Sequence, residues 1–322
     1  MTIHLVLQLF IWDIKLYSNR LLAVLAMVFT TMVWGITFEM VQGALSQAPP
    51  FIFGFLRFGI GFILGFLYLN VSAFNISKIE IQGGIWCGIV LCAGYAFQNF
   101  GLWQESGFYQ GASSSNSAFI TSVSVILVPT ILYLFKIQKV SNKIWGVVIL
   151  TMFGLFVLLD PLNLFRFSGY SGSGIVGGDV ITFGCAVSFA IHIILQDIYL
   201  KKGVHLVRFF MIQVFFVSLF SLICSMLFEG PSMLFSGIFT SEVLFALFVT
   251  GVIATFIAFI LMLWAQKILS ATETGILLSL EPLFAALYVY SALQINSWIG
   301  GAIIICAVIS SSFISVKSSK ND

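Results

Sequence analysis

Three ionisable residues, Glu39, Arg57 and Glu281, stand inside long apolar runs. A charge at the centre of a lipid-buried helix is opposed by about 2.5–3.5 kcal/mol on insertion scales, so such groups face a cavity or a partner. Glu281 is the best placed. Pro282 follows it, and a proline in a helix removes one donor and frees the carbonyl four residues back, here that of Leu278. The spacing therefore predicts a carboxylate and a loosened carbonyl on one wall of a cavity. A structural kink with the glutamate tied to a neighbouring helix is the plainer alternative. Glu39 shares a helical face with Thr31, Gly35 and Gln42. Glu39 is near the outer end of its helix and could simply snorkel towards water. Arg57 lies in the same outer leaflet, so an ion pair between Glu39 and Arg57 is geometrically open, as is contact of either with a solute.

Uncharged polar residues repeat at helical spacing around these three. They are Tyr95 and Asn99 with Gln98 adjacent; Ser113, Ser117, Thr121 and Ser124; and Cys185, Ser188, His192 and Gln196. Small and hydroxyl residues also hold helices together, so each stripe alone is ordinary packing. Together they predict a shared cavity lined by Glu281, Glu39, Arg57, Trp34, Gln98, Asn99, Ser117, Thr121 and His192. Trp34, Trp103 and Trp264 could supply aromatic walls or interfacial anchors. Pro282 and Pro129 are the expected kinks. No metal-ligand or catalytic constellation is expected.

The elements that must position these residues follow from composition. The 322 residues are 60% apolar and 8% charged, with a net charge of +2. Mean hydropathy is +1.10. A soluble globule of this size cannot hide so much apolar surface. A nucleic-acid binder would need a concentrated basic face. The five cysteines all lie in apolar runs and form no CxxC pair, which argues against a disulfide framework. An all-α polytopic membrane protein remains. Ten apolar runs are candidate transmembrane helices: 21–41, 51–70, 81–101, 113–135, 144–159, 178–197, 208–228, 243–264, 272–291 and 297–316. With a cytoplasmic N-terminus, 12 of the 14 basic residues fall in cytoplasmic segments, so both termini are expected there. Residues 3–12 are too short to cross, lack a cleavage site, and are expected to lie along the interface.

A Gly/Ser-rich stretch separates five spans from five. Aligning Ser122 with Ser279, an offset of 157 residues, sets AFITSVSV (118–125) against GILLSLEP (275–282). Leu102-Trp103-Gln104 likewise resembles Leu263-Trp264-Ala265-Gln266. An odd number of spans per half inserts the second half upside down, so the expectation is two inverted five-helix repeats. The expected parts are a cytoplasmic N-terminal segment 1–20, a first repeat 21–159, an external linker 160–177, a second repeat 178–316 and a cytoplasmic tail 317–322. Within the linker, GSGIVG (172–177) matches GxGxxG but lacks a βαβ setting, and GYSG (169–172) lacks a histidine at membrane depth. Neither carries chemistry, and no ATP-binding motif is present.

Several stretches resemble the drug/metabolite transporter superfamily, EamA type. They are Trp34-Gly35-Ile36-Thr37-Phe38; Pro49-Pro50-Phe51 with Leu56-Arg57-Phe58; Gly101-Leu102 with Ala112-Ser113; Asn116-Ser117-Ala118-Phe119-Ile120-Thr121 with Val128-Pro129; Gly178-Asp179; and Leu280-Glu281-Pro282. The resemblance covers about residues 21–316. It implies ten helices in an inverted repeat, a central cavity and export of small metabolites or drugs across a bacterial inner membrane, with importing and nucleotide-sugar-exchanging relatives. Glu39 and Gln42 depart from its pattern, which tilts the expected solute towards a cation or zwitterion.

The expected function is secondary-active transport of small organic solutes (metabolite, amino acid or drug) by alternating access. The expected partners are a small-molecule substrate and membrane lipid, with no nucleic acid, as a monomer or homodimer. No cofactor is expected, but proton coupling at Glu281 is. Alternatives are an importer or exchanger of a nucleotide-like metabolite, an intramembrane enzyme using Ser171, and a non-transporting scaffold.

Overall fold

The computed structural model describes residues 20–70, 75–104, 106–159, 176–231, 240–289 and 295–318. The stretch 3–12 expected at the interface, most of the expected linker with Arg166 and Ser171, and residues 319–322 lie outside these. Among the described residues there are thirteen α-helices, two π-helical stretches and no strand. The helices are α1 (Arg20–Leu45), α2 (Pro50–Leu69), α3 (Lys78–Leu102), α4 (Ser114–Ser122), α5 (Ser124–Leu134), α6 (Asn142–Leu159) and α7 (Gly177–Lys201). They continue as α8 (Leu206–Cys224), α9 (Ser241–Phe248), α10 (Ala258–Gln266), α11 (Ala271–Leu278), α12 (Glu281–Val289) and α13 (Ile295–Ser318). A π stretch, Ser225–Glu229, extends α8, and another, Val249–Ile257, joins α9 to α10.

Eight helical rods among the described residues are long and apolar enough to cross a membrane. They are α1, α2, α3, Asn116–Leu134 across α4 and α5, α7, α8 with its π extension, α9 through α10, and α13 to Ile314. The α6 helix is apolar but shorter, and α11 and α12 form a rod that is broken in the middle. The exposed large side chains along these rods are Leu, Ile, Phe and Trp, such as Trp86, Phe153, Phe220, Phe245 and Trp298. That is a surface suited to acyl chains rather than water.

Two rods break at related places. The fourth breaks at Val123, between α4 and α5, and the ninth at Ser279–Leu280, between α11 and α12. The breaks lie at the serines that the 157-residue offset pairs, just after Ser122 and at Ser279. In each, a hydroxyl stays on its own helix: Ser122 Oγ donates to the Ala118 carbonyl (2.9 Å) and Ser279 Oγ to the Ile276 carbonyl (2.5 Å). The offset also aligns the starts of α4 and α11. Ser113 and Ser270 are N-caps that accept the N–H of Asn116 and Glu273 respectively. Pro282 sits in the first turn of α12, where its missing donor is not needed. The break therefore precedes Pro282 rather than centring on it. Pro129 lies inside the continuous α5 helix, so the interruption of the fourth rod is not where the proline suggested.

Packing pairs the rods across the two halves. The broadest contacts are α3 with α7, α6 with α13, α2 with α8, and α3 with α8. The α1 helix lies against α10, α11 and α12, while α7 lies against α4 and α5. At the α1–α12 crossing, Gly35 lets the backbones touch: a Cβ there would stand 2.5 Å from the Glu281 carbonyl oxygen. The α6–α13 contact is equally close, with Asn296 Nδ2 reaching the Val157 and Leu158 carbonyls at 3.4 Å.

The polar contacts differ between the two ends of the bundle. One end holds ion pairs between Arg20 and Glu273, Arg208 and Glu80 (3.1 Å) and Lys201 and Asp197 (2.6 Å). The other end is held by neutral donors and carboxylates. Glu229 accepts the N–H groups of Phe51 (2.6 Å) and Ile52 (2.9 Å) at the start of α2, Asn116 Nδ2 donates to Asp179 (3.3 Å), and Gln47 bonds Glu242.

Candidate functional site

Residues of both helix breaks border one central chamber. Thr121, Ser122 and Ser124 border it from the first break, and Leu278 and Glu281 from the second. The α1 helix contributes Trp34, Thr37, Phe38 and Val41; α3 contributes Leu91, Tyr95, Gln98 and Leu102. Arg57, Phe189, His192, Ile193, Phe259 and Met262 complete the wall. The lining on α1 and α3 extends from mid-helix towards the end opposite the Arg20–Glu273 pair.

Arg57 reaches the wall from α2 and is 3% exposed. Its Nε donates to Thr255 Oγ1 at 3.1 Å, and its guanidinium lies 4.8 Å from the Tyr95 ring centroid and 5.2 Å from that of Phe58. A desolvated cation over an aromatic face gains about 2 kcal/mol. The π stretch supplies the other contacts. Backbone carbonyls in and just beyond it accept side chains of α1. Ala254 O accepts Trp34 Nε1–H at 2.9 Å, and just beyond it Ala258 O accepts Thr30 Oγ1–H at 3.1 Å.

Glu281 opens α12 and is 7% exposed. Among the described residues its carboxylate has no hydrogen-bond partner, and neither it nor Arg57 has an ion-pair partner. A buried charge without a counter-ion is expensive to keep, and an apolar replacement would pack more stably. Arg57 and Glu281 thus share one chamber wall, each without an ion-pair partner among the described residues.

Of the residues expected here, the structure brings together Glu281, Arg57, Trp34, Gln98, Thr121 and His192. It places three elsewhere. Glu39 is exposed and accepts Ser114 Oγ–H at 2.5 Å, because its helix face turns towards α4 and not α2; it does not pair with Arg57. Asn99 borders a separate small pocket and donates to the Pro50 carbonyl at 3.2 Å. Ser117 is fully buried one turn above the break, off the chamber. Thr37, Thr255 and Gln213 were not anticipated. Only the π stretch turns Thr255 to Arg57, and Gln213 stands alone in a Phe-rich run, so neither carried a spacing signal.

The EamA-like transporter family model matches this chain twice, over residues 21–160 and 176–313. The chain belongs to the EamA-like transporter family. An uncharacterized transporter of Archaeoglobus fulgidus is 30% identical over 275 residues, spanning 84% of this chain and 78% of that protein. The uncharacterized transporter YoaV of Bacillus subtilis is 20% identical over 298 residues, 90% of this chain and 96% of that one. A solved crystal structure aligns with a TM-score of 0.68 at 18% identity, covering 91% of this chain and 96% of that chain, which speaks to the fold alone. This EamA-family protein is thus a multi-pass membrane transporter. In it the chamber lies between the two matched segments, since Arg57 and Tyr95 come from the first and His192 and Glu281 from the second.

Proposed function

We propose that this protein is a secondary carrier that exports small organic solutes across a bacterial inner membrane by alternating access, with both termini in the cytoplasm. The observation that carries the reading is the chamber itself, where Arg57 and Glu281 stand unpaired beside two interrupted helices. Interrupted helices meeting at mid-membrane are how carriers of this kind hold charged solutes. Counting α6 and the broken α11–α12 rod gives ten crossings. The packing then has a telling property: renumbering each rod by five maps the broad contacts onto one another. The α3–α7 contact maps onto α1–α10, α3–α8 onto α2 with the second π stretch, and the contacts of α4 and α5 with α7 onto those of α11 and α12 with α1. That supports a two-fold relation, and five rods per half make it an inverted one.

In this reading the cluster of ion pairs marks the cytoplasmic end, which agrees with the basic residues gathered there. The chamber leans to the outer side, held shut inside by the Arg20–Glu273 and Arg208–Glu80 pairs. Rocking of the halves would break these inner pairs and open the chamber to the cytoplasm. Arg57 receives the acidic pole of the solute, and Glu281 receives its basic pole or a coupling proton.

The test is flux in proteoliposomes, with solutes chosen by a thermal-shift screen of amino acids, nucleotides and organic cations. Glu281→Gln is expected to lose transport or its pH dependence. A variant with unchanged flux and unchanged pH dependence removes Glu281 from the mechanism. Counterflow from preloaded vesicles separates export from import or exchange.

A further inference from the structure

His192 borders the chamber from α7, and behind it, out of contact with the chamber, lies Gln213 of α8, which is fully buried. His192 Nε2 is 2.7 Å from Gln213 Oε1. The same oxygen accepts Gln196 Nε2–H at 3.3 Å. On its other side Gln213 Nε2 lies 3.3 Å from the Phe209 carbonyl. A carbonyl can only accept, so the amide nitrogen of Gln213 must face Phe209 and its oxygen must face His192. An oxygen facing Nε2 requires Nε2 to carry the hydrogen. A neutral imidazole has one donor and one acceptor, so Nδ1 is left as the acceptor. Among the described residues Nδ1 has no hydrogen-bond partner.

We infer that the chamber recognises a hydrogen-bond-donating ammonium group of its solute through His192 Nδ1 and the Glu281 carboxylate, and that Gln213 is the positioning residue that fixes His192 as an acceptor. This rests on the carrier reading and deepens it by naming the solute class, a primary amine. The polar wall is divided accordingly. The bare lone pair of Nδ1 and the carboxylate of Glu281 can only accept, whereas the guanidinium of Arg57 can only donate. A quaternary ammonium carries the same charge but no N–H, so it satisfies Glu281 and leaves Nδ1 unpaired. A site built to hydrogen-bond an N–H rejects an analogue that lacks it far more strongly than one that differs by a methylene.

The experiment is nitrogen NMR of purified protein labelled with ¹⁵N-histidine. The chain has three histidines, and His192→Gln assigns the signal by its disappearance. The expected wild-type signal is the Nε2–H tautomer. Adding n-butylammonium chloride shifts its Nδ1 resonance, whereas tetramethylammonium chloride does not. In Gln213→Met, shown by its unfolding midpoint to be folded, both tautomers appear and n-butylammonium binds at least about 10-fold more weakly. A wild-type Nδ1–H tautomer, or shifts that are equal or absent with both salts, overturns the inference whatever becomes of the variant. The tautomer and the ammonium contrast are read without any transport step. A failed flux assay with intact NMR behaviour therefore sinks the carrier reading alone, and the converse sinks only the ammonium reading.

Discussion

Adding one methyl group at Gly35 tests the seam on which the chamber depends. The Cβ of Gly35→Ala would stand 2.5 Å from the Glu281 carbonyl oxygen, 2.8 Å from Phe284 Cβ and 3.0 Å from Ala285 N. Ordinary contact begins at 3.4 Å, so α1 and α12 must part by about 0.9 Å along that line. Two of the three obstacles are backbone, which cannot swing aside as a side-chain tip can. Overpacking of this kind costs about 1–3 kcal/mol, a factor of roughly 5 to 150 in the folding equilibrium. Gly43, on the same helix, has nothing within 4 Å of its would-be Cβ. Gly43→Ala should therefore be neutral or stabilising by up to about 1 kcal/mol, since alanine holds a helix better than glycine. The assay is unfolding of each variant in the same detergent, followed by tryptophan fluorescence. G35A should fall below wild type, and G43A should match or exceed it. Equal midpoints for the two would refute the close crossing at Glu281.

Other consequences are open to direct measurement. Glu80→Gln leaves Arg208 without its carboxylate and is expected to destabilise by about 3 kcal/mol, with Glu80→Gln/Arg208→Gln recovering part of the loss in a double-mutant cycle. Ser270→Ala and Ser113→Ala should each lose about 1 kcal/mol of stability as helix caps, with the larger loss at Ser270, whose hydroxyl and N–H are both tied to Glu273. Burial first, and then the nearby charges of Arg208 and Lys267 against that of Glu80, push the His205 imidazole below its ordinary 6.5. The folded protein thus binds that proton less readily than the unfolded chain does. The contribution of His205 is complete above about pH 6.5 and is lost as the pH falls through the lowered folded value. His205→Asn keeps a side chain able to cap α8 and should flatten that part of the stability–pH curve; an unchanged slope assigns it to other groups.

Much of the architecture was readable because lipid imposes long apolar runs, and those runs survive as rods. The internal repeat was readable where Ser122 aligns with Ser279; the helix starts at Ser113 and Ser270, at the same offset, came only with the structure. The break at Val123 was hidden, since neither glycine nor proline announces it; Pro129, the visible cue, lies six residues further on, inside α5. Glu281 could be placed because a carboxylate beside a proline has few roles in lipid. Glu39 was misplaced because a helical stripe specifies a face but not which neighbour meets it. Gln213 and Thr255 act through partners far along the chain, and no local pattern encodes such a meeting.

The carboxylate of Glu229 closes the first turn of α2 from 178 residues downstream. At roughly 5–20 residues per second of synthesis, α2 waits about 10–35 s in the bilayer with those amides unanswered. In the other direction, Glu80 takes the His205 N–H that opens α8, so the later half leans on the earlier one for the same service. Each half thus borrows a carboxylate from the other to satisfy a helix start. Separately expressed fragments should mature only when both are inserted together, and biogenesis is then a clasp that closes late rather than a sequence of finished parts.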